Sequence, residues 1–171
     1  MRILVVEDFC AIARGLSEVL REQGHQVDCV TGFSDLDKLQ AVDLDDKPVT
    51  LTLEAYDLAL VDGQLKQFNG QPDKPIEGPA VVSRLVKSGV ACFGMSTEKK
   101  FNDEMVANGA KGADSKAVTF FVFVHQVVSA AEVVAGDKLA LQRINDCHLN
   151  LNTQAFEARR HVCDDIIKRH F

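Results

Sequence analysis

Four short apolar runs rich in strand-forming residues stand out: "ILVV" (Ile3 to Val6), "HQVDCV" (His25 to Val30), "DLALV" (Asp57 to Val61) and "VACFGM" (Val90 to Met95). Between them, apolar residues recur at helical spacing. A chain that alternates strands with helices in this way has few folds open to it, because the strands run parallel and the helices cover both faces of the sheet. The first helix is set by Ile12, Leu16, Val19 and Leu20 and should stop before Gly24. Phe33 to Leu39 reads as a short second helix, Ala80 to Lys87 as the third and Glu98 to Asn108 as the fourth. A short fifth strand falls near Gly112 to Ser115, and a long fifth helix runs from Val118 towards Val134. The result is five β/α units, an α/β chain with a doubly wound five-stranded parallel sheet.

Two insertions interrupt that rhythm. One spans about Gln40 to Ala55, where "PVTLTLEAY" alternates like a small edge strand. The other, "KQFNGQPDKPIEGP", holds three of the four prolines and reads as a loop. The best boundary is at Gly136, which divides the chain into a domain over residues 1–136 and a helical C-terminal extension over 137–171. The last helix of the extension starts at Thr153 as N-cap and displays Phe156, Val162, Ile166 and Ile167.

At 171 residues, 46% hydrophobic and 26% charged, the chain is long enough for one full domain with a buried core. The formal charge of −6 supplies no general attraction to nucleic acid or anionic membranes. Five scattered cysteines, none in a CxxC pair, fit reduced thiols in the cytoplasm. No apolar run approaches the length of a membrane span, and the N-terminus lacks the pattern of an export leader.

Ligands of an open parallel sheet bind beyond the carboxyl ends of its strands. Glu7 and Asp8 end the first strand, Asp62 the third, Ser96 and Thr97 the fourth, and Lys116 the fifth. Three carboxylates brought together repel, each pair by roughly 4 kcal/mol at contact distance under an effective dielectric of about 20. Such a group calls for a cation. Hard oxygen ligands favour Mg²⁺, and Lys116 adds a fixed ammonium. A carboxylate beside Mg²⁺ and lysine is suited to become an acyl phosphate, the metal and the lysine neutralising the incoming phosphoryl oxygens.

Four segments, "ILVVED", "LALVDGQL", "FGMST" and "GAKGADSK", occur in the order and register of a known family. Over residues 1–135 the chain resembles the receiver domain of bacterial two-component response regulators, whose fold is flavodoxin-like. The resemblance implies Asp62 as the phosphorylated residue, Asp8 as a direct Mg²⁺ ligand and Glu7 as one acting through water, with the backbone carbonyl of Gln64 completing the metal site. It implies Ser96 as the hydroxyl that turns towards the phosphoryl group, Thr97 as a backbone N–H donor and Lys116 as the phosphoryl-binding lysine. Ser96 is preferred to Thr97 because the family places a small residue after the switch hydroxyl. The implied partner is a sensor histidine kinase or a histidine phosphotransfer protein, with the chain acting as a switch or phosphorelay carrier rather than a turnover enzyme.

The chain departs from that family in three places. Ala117 stands where a proline normally follows the lysine. Ala113 stands where an aromatic switch residue is expected, so the usual coupling of hydroxyl to ring is missing. The loop after Asp62 is long.

Competing patterns are weaker. "LVDGQ" resembles the second half of the DxDGT phosphohydrolase signature, but the nucleophile position falls on Leu60, which is inert. "DLDKLQAVDLDD" has Gln40 where an EF-hand loop needs glycine. Cys147, His148, His161, Cys163 and His170 follow no zinc spacing. His125 lies in the apolar run "FFVFVHQVV", whose helix is apolar nearly all round and needs covering on more than one side, by the C-terminal helices or by a second copy in a homodimer. The tail is too short and too balanced in charge for a DNA-binding output. The alternative to a phosphorylated switch is a receiver-like interaction module that signals by dimerisation or partner binding without phosphate.

Overall fold

The computed structural model describes residues 1–22, 24–65 and 76–116. Strand β1 (Arg2–Val6) leads into helix α1 (Cys10–Glu22) and strand β2 (Gln26–Asp35). Strands β3 (Gln40–Asp43) and β4 (Pro48–Thr50) follow, then a single 3₁₀ turn (Leu53–Ala55) and strand β5 (Leu58–Asp62). Helix α2 (Gly78–Lys87), strand β6 (Ala91–Met95), helix α3 (Lys99–Ala107) and strand β7 (Gly112–Asp114) complete the described elements.

The sheet has the order β4-β3-β2-β1-β5-β6-β7. Its five strands β2, β1, β5, β6 and β7 are parallel neighbours, and β3 and β4 add an antiparallel hairpin to the β2 edge. The expected parallel sheet is therefore present and widened to seven strands.

Period-two alternation sorts the strand residues between two cores. Ile3, Val5, Val27, Leu58, Leu60 and Met95 face α1 and meet its Leu16, Val19 and Leu20. Leu4, Val6, Ala59, Val61 and Cys92 face the other way and pack with Val81, Val82 and Leu85 of α2 and Phe101 and Met105 of α3. Every residue of β5 is buried, as the centre of a sheet covered on both faces requires. Full burial of each Leu or Val is worth roughly 1.5–3 kcal/mol, so β1 and β5 are anchored from both sides and their carboxyl ends are fixed in place.

The short helix expected over Phe33 to Leu39 is not formed. Strand β2 continues through Asp35, and Phe33 is fully buried in the α2/α3 core. Asp35 then accepts the backbone N–H of Lys38 at 3.0 Å, and Leu39 turns the chain at a φ of 56° into β3. The i, i+3 spacing of Leu36 and Leu39 imitates a helix, yet both pack on the core from this turn. The hairpin, with Leu51, Leu53 and Tyr56 behind it, fills the space beside β2 that a second helix would cover. Helix α2 begins at Gly78, two residues before the expected start, with Pro79 in its first turn, where the missing N–H costs nothing.

The long helix from Val118, the extension over 137–171, its proposed dimer face and Ala117 lie outside the described residues. Among the described residues no helix is long and apolar enough to cross a membrane.

Candidate functional site

Glu7 follows the last residue of β1, Asp62 is the last of β5, Ser96 follows β6 and Lys116 lies two residues beyond β7. Parallel pairing puts these four positions along one edge of the sheet, and their side chains converge there. Lys116 Nζ lies 2.9 Å from Glu7 Oε2 and 2.8 Å from Asp62 Oδ2. Glu7, Asp8 and Asp62 each offer a carboxylate oxygen, all within 4.8 Å of one another. A cavity of about 300 Å³ opens above them, lined by Phe9, Ile12, Gln64, Ser96 and Thr97 as well as the acids and the lysine.

The electrostatics of this group are those of charges taken out of water. Burial, and next the charge of Asp62, push the Glu7 carboxyl up to about 7 despite the ammonium beside it. Burial likewise raises Asp62 above the usual carboxylate range, with Lys116 opposing. For Lys116 burial acts to lower the pKa, but attraction to Glu7 and Asp62 outweighs it, so the ammonium is held more firmly than in water. One lysine does not balance three acids. The donor set, all hard carboxylate oxygens in a half-open cavity, fits a divalent cation such as Mg²⁺.

Glu7 has no exposed surface, and besides Lys116 it accepts the N–H of Phe9 at 3.1 Å. Ser96 is 1% exposed; its hydroxyl accepts the N–H of Glu98 at 3.2 Å. Thr97 is exposed and lines the cavity. The N–H of Gln64 points at Asp62 Oδ1 across 3.4 Å, and its side-chain amide donates to Glu98 Oε1 at 2.9 Å. All seven residues singled out in the sequence thus border one recess.

Two glycines complete the site. Gly63 lies at a bend just after β5 and does not adopt a positive φ. Its role is steric: a Cβ there would lie 2.7 Å from Ser96 Oγ and from Phe101 Cβ. Gly78, the first residue of α2, brings its Cα against the backbone of Asp62, where a Cβ would overlap the Asp62 carbonyl oxygen. Its N–H donates to the Gly63 carbonyl at 3.0 Å, which closes the long excursion after Asp62 at its neck. The signal for Gly78 was its place next to proline at the end of that loop, which reads as a turn until the partner backbone is known.

A larger recess of about 460 Å³ lies at the hairpin edge under α1. Its arginines are already engaged, Arg2 with Asp28, Arg14 with Asp45 and Arg21 with the Val27 carbonyl.

No protein-family model matches the sequence, and no curated protein matches it. Solved structures do match the fold. A two-component response regulator from Clostridium difficile superposes with a TM-score of 0.56 at 12% identity, over 80% of this chain and 97% of that one. The receiver domain of NtrX from Brucella abortus gives 0.55 at 18% identity, over 80% and 99%. A response regulator from Burkholderia pseudomallei, with a phosphorylated aspartic acid, calcium ion and citrate, gives 0.53 at 17% identity, over 81% and 73%.

Proposed function

We propose that this chain, which has the fold of response-regulator receiver domains, is a working receiver that accepts a phosphoryl group on Asp62. The observation that carries the reading is the bridge of Lys116 between Glu7 and Asp62, at the carboxyl edge of the sheet and within one carboxylate cluster. A structural ion pair needs one acid; this lysine holds two, in a cavity open to a reactant.

In this reading Asp62 Oδ attacks the phosphorus of a phosphohistidine on a sensor histidine kinase or histidine phosphotransfer protein. The oxygen–phosphorus bond forms as the phosphorus–nitrogen bond breaks, and the electron pair stays on the imidazole, which takes a proton from water. Burial makes Asp62 more basic and so more nucleophilic, while Lys116 keeps it ionised. Glu7, Asp8, Asp62 and the Gln64 carbonyl would hold Mg²⁺, which when bound supplies positive charge for the phosphoryl oxygens. Lys116 pairs with a phosphoryl oxygen, Ser96 donates its hydroxyl and Thr97 its backbone N–H. Attack of water on phosphorus then breaks the Asp62 Oδ–phosphorus bond, releasing inorganic phosphate and returning Asp62 to the carboxylate. The three free cysteines among the described residues, Cys10, Cys29 and Cys92, and the charge of −6 support a cytoplasmic protein that acts on other proteins rather than on nucleic acid.

The test is direct. Incubated with Mg²⁺ and a small phosphodonor, the protein gains a phosphoryl adduct by intact mass, and the Asp62→Asn variant does not. An unmodified wild type would refute the reading.

Ala113 favours a second reading, in which the pocket is structural and signalling runs through dimerisation or partner binding. Its methyl packs close to Gly94 on the neighbouring strand and offers no ring to follow a moving hydroxyl. Under that reading Asp62→Asn leaves partner binding unchanged.

A further inference from the structure

Ser96 is the root from which α3 hangs. Its hydroxyl accepts the Glu98 N–H, while its carbonyl accepts Asn102 Nδ2 at 3.1 Å and the backbone N–H of Lys116 at 3.3 Å. Asn102 belongs to the first turns of α3 and follows Phe101, the residue packed beside Gly63. Its Oδ1 is buried with no hydrogen-bond partner among the described residues. A buried amide satisfied on one side only is a costly choice for packing alone, since an apolar residue would fill the same space without the penalty. The amide therefore has a use for its donor.

We infer that Asn102 is a positioning residue that clamps the Ser96 carbonyl to α3, so that the helix follows the state of Ser96. The inference rests on the phosphoacceptor reading above. When the Ser96 hydroxyl engages a phosphoryl oxygen on Asp62, its hold on the Glu98 N–H at the helix start weakens. The Asn102 bond keeps the carbonyl and the helix in register, and the motion of residue 96 passes into α3. Coupling on this route needs no aromatic ring on β7, which is where Ala113 leaves a gap.

The experiment uses the full chain with Mg²⁺ and beryllofluoride as the phosphoryl mimic, read by backbone amide chemical shifts. In the wild type the adduct shifts Gly63, Ser96 and the amides of α3. In Asn102→Leu the Gly63 shift persists and the α3 shifts fall severalfold. That variant removes the orphan oxygen together with the donor, and Ser96 keeps the Lys116 N–H, so its melting temperature equals or exceeds that of the wild type. Asn102→Ala, with high helix propensity, repeats the test if the leucine does not pack. Asn102→Gln, which retains an amide donor, restores part of the response. Wild-type α3 shifts in the leucine or alanine variant would overturn the inference while leaving the phosphoacceptor reading intact. No adduct on the wild type would overturn both.

Discussion

Gly78 can be tested by adding a single methyl group. Gly78→Ala forces the Asp62 backbone or the start of α2 to move, because the new Cβ has no room beside the Asp62 carbonyl. Overpacking of this kind costs about 1–3 kcal/mol, which urea denaturation will read, and the displaced Asp62 should take up phosphoryl groups more slowly by intact mass. Lys116→Met is the complementary test. It leaves Glu7 and Asp62 without their shared cation, and breaking a buried pair from one side costs roughly 3–5 kcal/mol. The loss should be greatest near pH 8 and shrink near pH 5, where the stranded carboxyls take up protons. The sequence shows the acids and the serine because each follows an apolar run at a strand end, and the lysine through its place in the segment "GAKGADSK". Contacts such as Asn102 with the Ser96 carbonyl, or Gln64 with Glu98, depend on side-chain rotamers across separate elements and leave no trace in the pattern.

At the scale of elements, β1, β5 and β6 are legible within a residue or so because burial gives nearly unbroken apolar runs, while β7 (Gly112–Asp114) carries no such run and is found from its place before Lys116. The second strand is not legible in full, since its far half pairs with a hairpin and carries Thr31, Gly32 and Ser34 among its apolar residues. Leu36 and Leu39 then imitate a helix from within a turn. The structure makes Phe33 the pin of this rearranged region, with no exposed surface and contacts in the α2/α3 core. Phe33→Ala should destabilise the protein by about 3–5 kcal/mol in a denaturant titration, a cost that an exposed helical position would not incur.

For the whole molecule, the acidic cluster sets how stability depends on pH. Glu7 has its pKa raised from 4.5 to about 7 in the folded state. Between those values the folded protein binds more protons than the unfolded chain, so stability falls as pH rises through the window. By pH 8 this contribution is lost. Asp62 is also raised and adds in the same direction, while Lys116 stays charged throughout and contributes no slope. With chelator present, the melting temperature should therefore be higher at pH 5.5 than at pH 8. Mg²⁺ should raise it at pH 8 and have little effect at pH 5.5, where protons already occupy the site.

The hydrogen bond between Gly63 and Gly78 has a consequence for how this chain can change. It fastens the two ends of the segment after Asp62 to each other, so the scaffold registers where that segment departs and returns, and is indifferent to its length. Loop-closure cost grows only slowly with added residues. Gln64 belongs to the site and Leu65 and Ile76 pack on the core, so the exchangeable cassette is the interval 66–75, in which address and reactivity are inherited separately: its sequence can be rewritten to suit another visitor while the aspartate beneath it keeps its place.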